Sequence, residues 1–117
     1  YTLIRVYTAS DNCGNQTSDS QVIVVVDTTP PILSIPADYT AECSDAHPMD
    51  DATATDNCGV VSLNVVNLTT PGACAGEYVT TRTFTAMDDC GNATTATQTI
   101  TIVDTTAPEI ASLQTTL

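Results

Sequence analysis

Apolar and polar residues alternate along most of this chain, and no long segment repeats its apolar residues at the spacing of an amphipathic helix. The alternation predicts strands over residues 1–9, over a run ending in Val22–Val26, and over Ile32–Ile35, Tyr39–Cys43, Ala52–Thr55, Val60–Val66, Leu68–Thr70, Glu77–Ala86 and Thr94–Val103. Turn residues punctuate them: Asp-Asn-Cys-Gly-Asn at 11–15, Asp56-Asn57-Cys58-Gly59, Pro71-Gly72, and Asp-Asp-Cys-Gly-Asn at 88–92. Segment 44–51, with Asp45, His47, Pro48, Asp50 and Asp51, reads as a polar loop holding a solvated histidine.

The pattern repeats. Residues 1–31 align without a gap to 78–108, a shift of 77 residues, with 16 of 31 positions identical. Both copies run from a Tyr-x-x-x-Arg strand through an Asp-x-Cys-Gly-Asn turn to an Asp-Thr-Thr-x-Pro linker. This is the signature of a tandem array seen over about one and a half units. The expected organisation is the last two strands of one unit at 1–27, a proline-stiffened linker at 28–31, a complete unit at 32–104, and at 105–117 the linker and first strand of the next. Two strands alone do not make a domain, so 1–27 should complete a sandwich whose other strands lie upstream or in another chain. About seven short strands, no helix and Tyr78 early in the penultimate strand indicate an all-β, immunoglobulin-like sandwich.

Composition narrows the function. Twenty-three Thr residues suit strands. Fourteen acidic residues against two Arg give a net charge of −12, which opposes binding to a nucleic-acid backbone or an anionic membrane and favours divalent cations. No apolar run approaches a membrane span. Five cysteines, without a C-x-x-C pair or a zinc spacing, point to disulfides in an oxidising compartment. No acid, base and nucleophile set can be assembled, so an enzyme is not expected.

The motifs Asp-Thr-Thr-Ala-Pro (104–108), Ala-Thr-Asp-Asn-Cys-Gly (54–59) and Tyr-x-x-x-Arg-Thr-Phe-Thr-Ala-x-Asp-x-Cys-Gly-Asn (78–92) resemble hyalin-repeat (HYR)-like, immunoglobulin-like repeats in large secreted and surface proteins of bacteria, especially Bacteroidetes. Pro30 for the usual Ala and Phe84 where Trp is common are the departures. The resemblance covers nearly the whole chain and implies extracellular structural or adhesive repeats.

In such a sandwich the loops carrying Cys58 and Cys90 share one end, and those carrying Cys43 and Cys74 share the other. The expected bridges are therefore Cys43–Cys74 and Cys58–Cys90, with Cys13 bonded to a cysteine outside this segment or left as a free thiol. The end with Cys58 also receives the incoming linker, so Asp27, Asp56, Asn57, Asp88, Asp89 and Asn92 should converge there. Their oxygens suit Ca2+, although Asp and Asn are also ordinary turn formers. Asp11 would serve the preceding joint and Asp104 the following one. Arg82 is expected to pair with Glu42 or Glu77, and Thr28 and Thr105 fit a bacterial O-glycosylation pattern. The reading is a non-catalytic structural module of an extracellular filament or rod, its partners being neighbouring repeats or copies of itself. The stalk or binding repeat of an adhesin, for cells or carbohydrate, is the alternative.

Overall fold

A computed structural model describes residues 1–116; Leu117, the last residue of the expected 105–117 segment, lies outside them. Eight strands form: β1 (Thr2–Ser10), β2 (Gln16–Val24), β3 (Ile32–Ser34), β4 (Tyr39–Glu42), β5 (Thr53–Thr55), β6 (Val61–Pro71), β7 (Tyr78–Asp88) and β8 (Ala93–Val103). They make three sheets: the hairpin β1–β2, the pair β3–β5, and a four-stranded sheet in the order β4-β8-β7-β6. All pairings are antiparallel except β4 with β8. The all-β reading holds, and the unit from β3 to β8 is consistent with an immunoglobulin-like sandwich.

The unit has six strands rather than about seven. The segments expected as two strands, 60–66 and 68–70, belong from Val61 onward to the single strand β6, in which Asn67 simply stands opposite Arg82. No glycine or proline interrupts the alternation there. Pro71, whose missing N–H would break a central ladder, is tolerated as the last residue of an edge strand.

Strand periodicity accounts for the core. Along β7, alternate residues from Thr80 to Asp88 are buried, and their partners on β8 continue the same face through Gln98, Ile100 and Ile102. Ala52, Phe84, Ala86, Ile100 and Ile102 form the buried apolar core. Phe84 and the two isoleucines each contribute on the order of 1.5–3 kcal/mol. The facing layer is only β3 and β5, three residues each, so this core is small for a free-standing domain.

Arg82 does not reach a carboxylate. It lies 96 % buried, donating from Nη1 to the Asp50 carbonyl (2.9 Å) and to Gln98 Oε1 (3.0 Å), with its guanidinium 4.8 Å from the Phe84 ring centroid. The expected pairing with Glu42 or Glu77 fails because Arg82 sits mid-strand, level with loop 44–51, whereas both glutamates lie at the end of the sheet. His47 is likewise not solvated. Half-buried, it donates from Nε2 to the Glu42 carbonyl (2.9 Å) and accepts at Nδ1 from the Tyr78 hydroxyl (3.2 Å), which folds the loop over the sheet.

The hairpin β1–β2 repeats β7–β8 strand for strand, but among the described residues no strand lies over it. Arg5, Tyr7, Gln21 and Ile23 stand 77 residues before Arg82, Phe84, Gln98 and Ile100, and Tyr7 is 56 % exposed where Phe84 is 2 %. The molecule is correspondingly drawn out to 127 × 19 × 15 Å, with a radius of gyration of 29.8 Å against about 13 Å for a compact chain of this length.

Candidate metal site

Three carboxylates meet where the incoming linker joins the unit. Asp27 ends the linker's approach, Asp56 begins the turn after β5, and Asp88 ends β7; one oxygen of each lies within 4.8 Å of the others. Calcium–oxygen distances of about 2.3–2.6 Å place ligands on opposite sides of an ion roughly 4.6–5.2 Å apart, so this spacing accommodates one Ca2+. An N/S-preferring zinc site would need other donors.

Each carboxylate is aimed by the backbone that follows it. Asp27 Oδ1 accepts from Thr29 N (3.0 Å) and Asp56 Oδ2 from Cys58 N (2.8 Å). Asp88 Oδ1 accepts from Cys90 N (2.8 Å) and Asn92 N (2.9 Å), while Oδ2 accepts from the Asn92 amide (2.8 Å). Gly91, at φ +90°, supplies the left-handed residue that lets this turn close. The Asn92 amide also reaches the Asp27 carbonyl (3.1 Å), and the Thr94 hydroxyl donates to the Pro31 carbonyl (2.7 Å). The last strand thereby grips the linker at two points.

Turn former and metal ligand are thus compatible roles, because a carboxylate has two oxygens. At Asp56 the division is clear: Oδ2 serves the turn, and Oδ1 is buried with no hydrogen-bond donor. Hydrogen bonds from Asn92, foremost its side-chain amide, hold the Asp88 carboxyl below its ordinary range against the opposing effect of desolvation.

The other expected ligands fall elsewhere. Asn57 borders a neighbouring cleft with Thr29, Pro30 and Asp56, and Asp89 lies beside Gly59, outside the three-carboxylate group. Asn92 acts as a positioning group. Asp11 repeats the Asp88 turn within the hairpin, accepting from Cys13 N and Asn15 N, and Asn15 lowers its pKa in the same way. Asp104 stands at the opposite end, where its N–H faces Glu77 Oε1 (3.4 Å).

That far end holds a feature the residue pattern did not reveal. Thr105 donates its amide to Glu42 Oε2 (3.0 Å) and its hydroxyl to Glu42 Oε1, and these two bonds depress the Glu42 pKa. The outgoing linker is therefore held by the unit it leaves. Only the separation of Glu42 and Thr105 across 63 residues hid the pair.

All five cysteines are exposed free thiols in this structure, so the expected bridges are not formed in it. The expected partners nevertheless lie close. Partial desolvation, then Asp27, Asp56 and the Cys90 sulfur, raise the Cys58 thiol pKa. A hydrogen bond to Glu77 foremost, with a smaller effect of Cys43, raises that of Cys74. Cys43 also packs on Gly76, two residues beyond Cys74.

No protein-family model matches the chain. Two curated relatives do. Hyalin of Lytechinus variegatus is 37 % identical over 117 residues, covering 92 % of this chain and 22 % of the relative. Hyalin of Strongylocentrotus purpuratus is 36 % identical over 114 residues, 89 % of this chain and 9 % of the relative. The chain thus spans less than a quarter of either protein. The hyalin-like part of the sequence reading stands, but these relatives are sea-urchin proteins and lend nothing to a bacterial source. They are extracellular matrix proteins, in accord with the expected location, and the similarity is to an adhesive or structural repeat. Among the described residues no helix is long and apolar enough to cross a membrane.

Proposed function

We propose that this chain is a non-catalytic structural segment of an extracellular filament or rod-like surface protein, built of tandem sandwiches with calcium-stiffened joints. The observation that carries the reading is the meeting of Asp27, from the linker, with Asp56 and Asp88, from the unit it enters. Three carboxylates so close repel one another, and a divalent ion converts that repulsion into a clamp across the joint. Asp104 and Asp11 are the corresponding ligands of the following and preceding joints. Residues 1–27 are the last two strands of one unit, 28–31 the linker, 32–104 a complete unit, and 105–117 the next linker and the first strand of the unit after it.

Bridges Cys43–Cys74 and Cys58–Cys90 would staple the two ends of a sandwich whose core is small, each closing a loop of roughly 30 residues and adding on the order of 3 kcal/mol. Cys13 takes a partner outside this segment. Thr28 and Thr105 are the O-glycosylation candidates, and the Thr105 hydroxyl is engaged by Glu42.

Adhesion is the second reading, favoured by the hyalin relatives.

Calorimetry after chelation tests the joint. Calcium should bind with heat and raise the melting temperature; no heat and no shift would refute the clamp.

A further inference from the structure

The outward face of strands β6, β7 and β8 carries no charge, and acids adjoin it only along edge strand β4, at Glu42 opposite Val103 and at Asp38 beside Thr99 and Thr101. Registers β6–β7 and β7–β8 place on it the even positions 62–70 and the odd positions 79–87 and 93–103, sixteen residues without one Asp, Glu, Lys or Arg. At its centre three cross-strand pairs are threonine with threonine: Thr81 with Thr99, Thr83 with Thr97, Thr85 with Thr95. Beside them Val66 and Leu68 are 59 % and 66 % exposed. In a chain with fourteen acidic residues and a net charge of −12, such a face is an exception in need of a cause. Glu42, on edge strand β4, marks its border, and that carboxylate is engaged by Thr105.

The hairpin supplies an independent observation. Its matching positions, the even numbers 2–10 and 16–24, are uncharged too. Most inward positions keep their identities across the repeat, as Arg5 and Arg82, Gln21 and Gln98 or Ile23 and Ile100 do, while Leu3 with Thr80, Tyr7 with Phe84, Asp19 with Ala96 and Val25 with Ile102 differ. The outward ones change freely, Thr81 to Ile4, Thr83 to Val6, Thr99 to Val22, yet never to a charge. A merely solvated face has no reason to exclude charge in both copies, and an acidic chain could have used it for solubility.

We propose that this face is a lateral docking surface for the same face of a second copy of this chain, sheet against sheet. Copies with a charge of −12 repel wherever their acids approach. The acid-free face is where two can meet at least electrostatic cost, burying valine, leucine and threonine methyl groups about 10 Å apart across the packed sheets. Three strands of eleven residues cover roughly 500 Å2, less than the about 800 Å2 per partner of a stable interface. One unit therefore docks weakly, and successive units presenting the same face add their contacts along a rod. The inference does not depend on calcium.

Sedimentation velocity of the 117-residue chain in chelator tests it. Association should tighten about ten-fold or more between low salt and about 1 M NaCl, where screening shrinks to about 3 Å. An interface of ion pairs would instead weaken. The double variant Thr97→Glu, Leu68→Glu should stay monomeric at high salt with an unchanged circular dichroism spectrum, while Thr97→Ser associates like the parent. The proposal is overturned if the parent stays monomeric throughout, or if the folded double variant associates equally, which would assign the contact to the bare inward side of the hairpin. Sugars found on Thr83, Thr95 or Thr97 in native material would also overturn it.

Discussion

At Asp56 one oxygen holds the turn and the other is buried without a partner. Asp56→Asn keeps an acceptor for Cys58 N but removes the charge, so calcium affinity should fall about ten-fold or more by calorimetry, while Asp45→Asn, in loop 44–51, should leave it unchanged. Asp88 makes a pH prediction. Its folded pKa is depressed, so its contribution is fully present above the unfolded carboxylate range near 3.9 and is lost as pH falls through the folded value. Thermal melts should show acid destabilisation beginning below about pH 5 and reduced in Asp88→Asn. Arg82 carries a buried charge whose Nη1 is held by a carbonyl and an amide rather than by a carboxylate, while its Nε is buried without a partner. Arg82→Ala should cost about 2–4 kcal/mol in denaturant unfolding by stranding both acceptors.

Among the elements, β7 and β8 were the most legible: long alternation and a repeated turn fixed their existence, face and pairing. The three acids were also legible as a group, since the topology of a sandwich brings the linker and both turns to one end. The sequence left Asn57 and Asp89 level with them because adjacent turn residues look alike until the backbone decides which side chain points inward. Arg82 and His47 were misread for a different reason. One partner of each, the carbonyl of Asp50 or of Glu42, is a backbone atom, and residue type says nothing about where a carbonyl points. Bridges at the two ends of the unit make a stability prediction at this scale: with so few buried apolar residues, Cys58→Ser or Cys74→Ser should lower an oxidised unit's stability by about 2–4 kcal/mol and leave a reduced one nearly unchanged.

Across the whole molecule, the linker's residues look in two directions. Asp27 faces the unit ahead, while Thr105, the repeat of Thr28, is tied to the unit behind. Joined at one linker, the two contacts leave little freedom to swing. Small-angle scattering of a two-unit chain should give a smaller spread of end-to-end lengths with calcium than with chelator, and Asp27→Asn should remove the difference. The parallel pairing of β4 with β8 bears on a property so far unmentioned, the response to pulling. One strand follows the entry to the unit and the other leads to its exit, and they lie side by side through Tyr39–Ile100, Thr40–Thr101, Ala41–Ile102 and Glu42–Val103. Tension applied through the two linkers slides these strands past each other, so all four rungs bear the load together instead of opening one after another. A unit built this way should yield only at a high threshold, which is the behaviour of a tether.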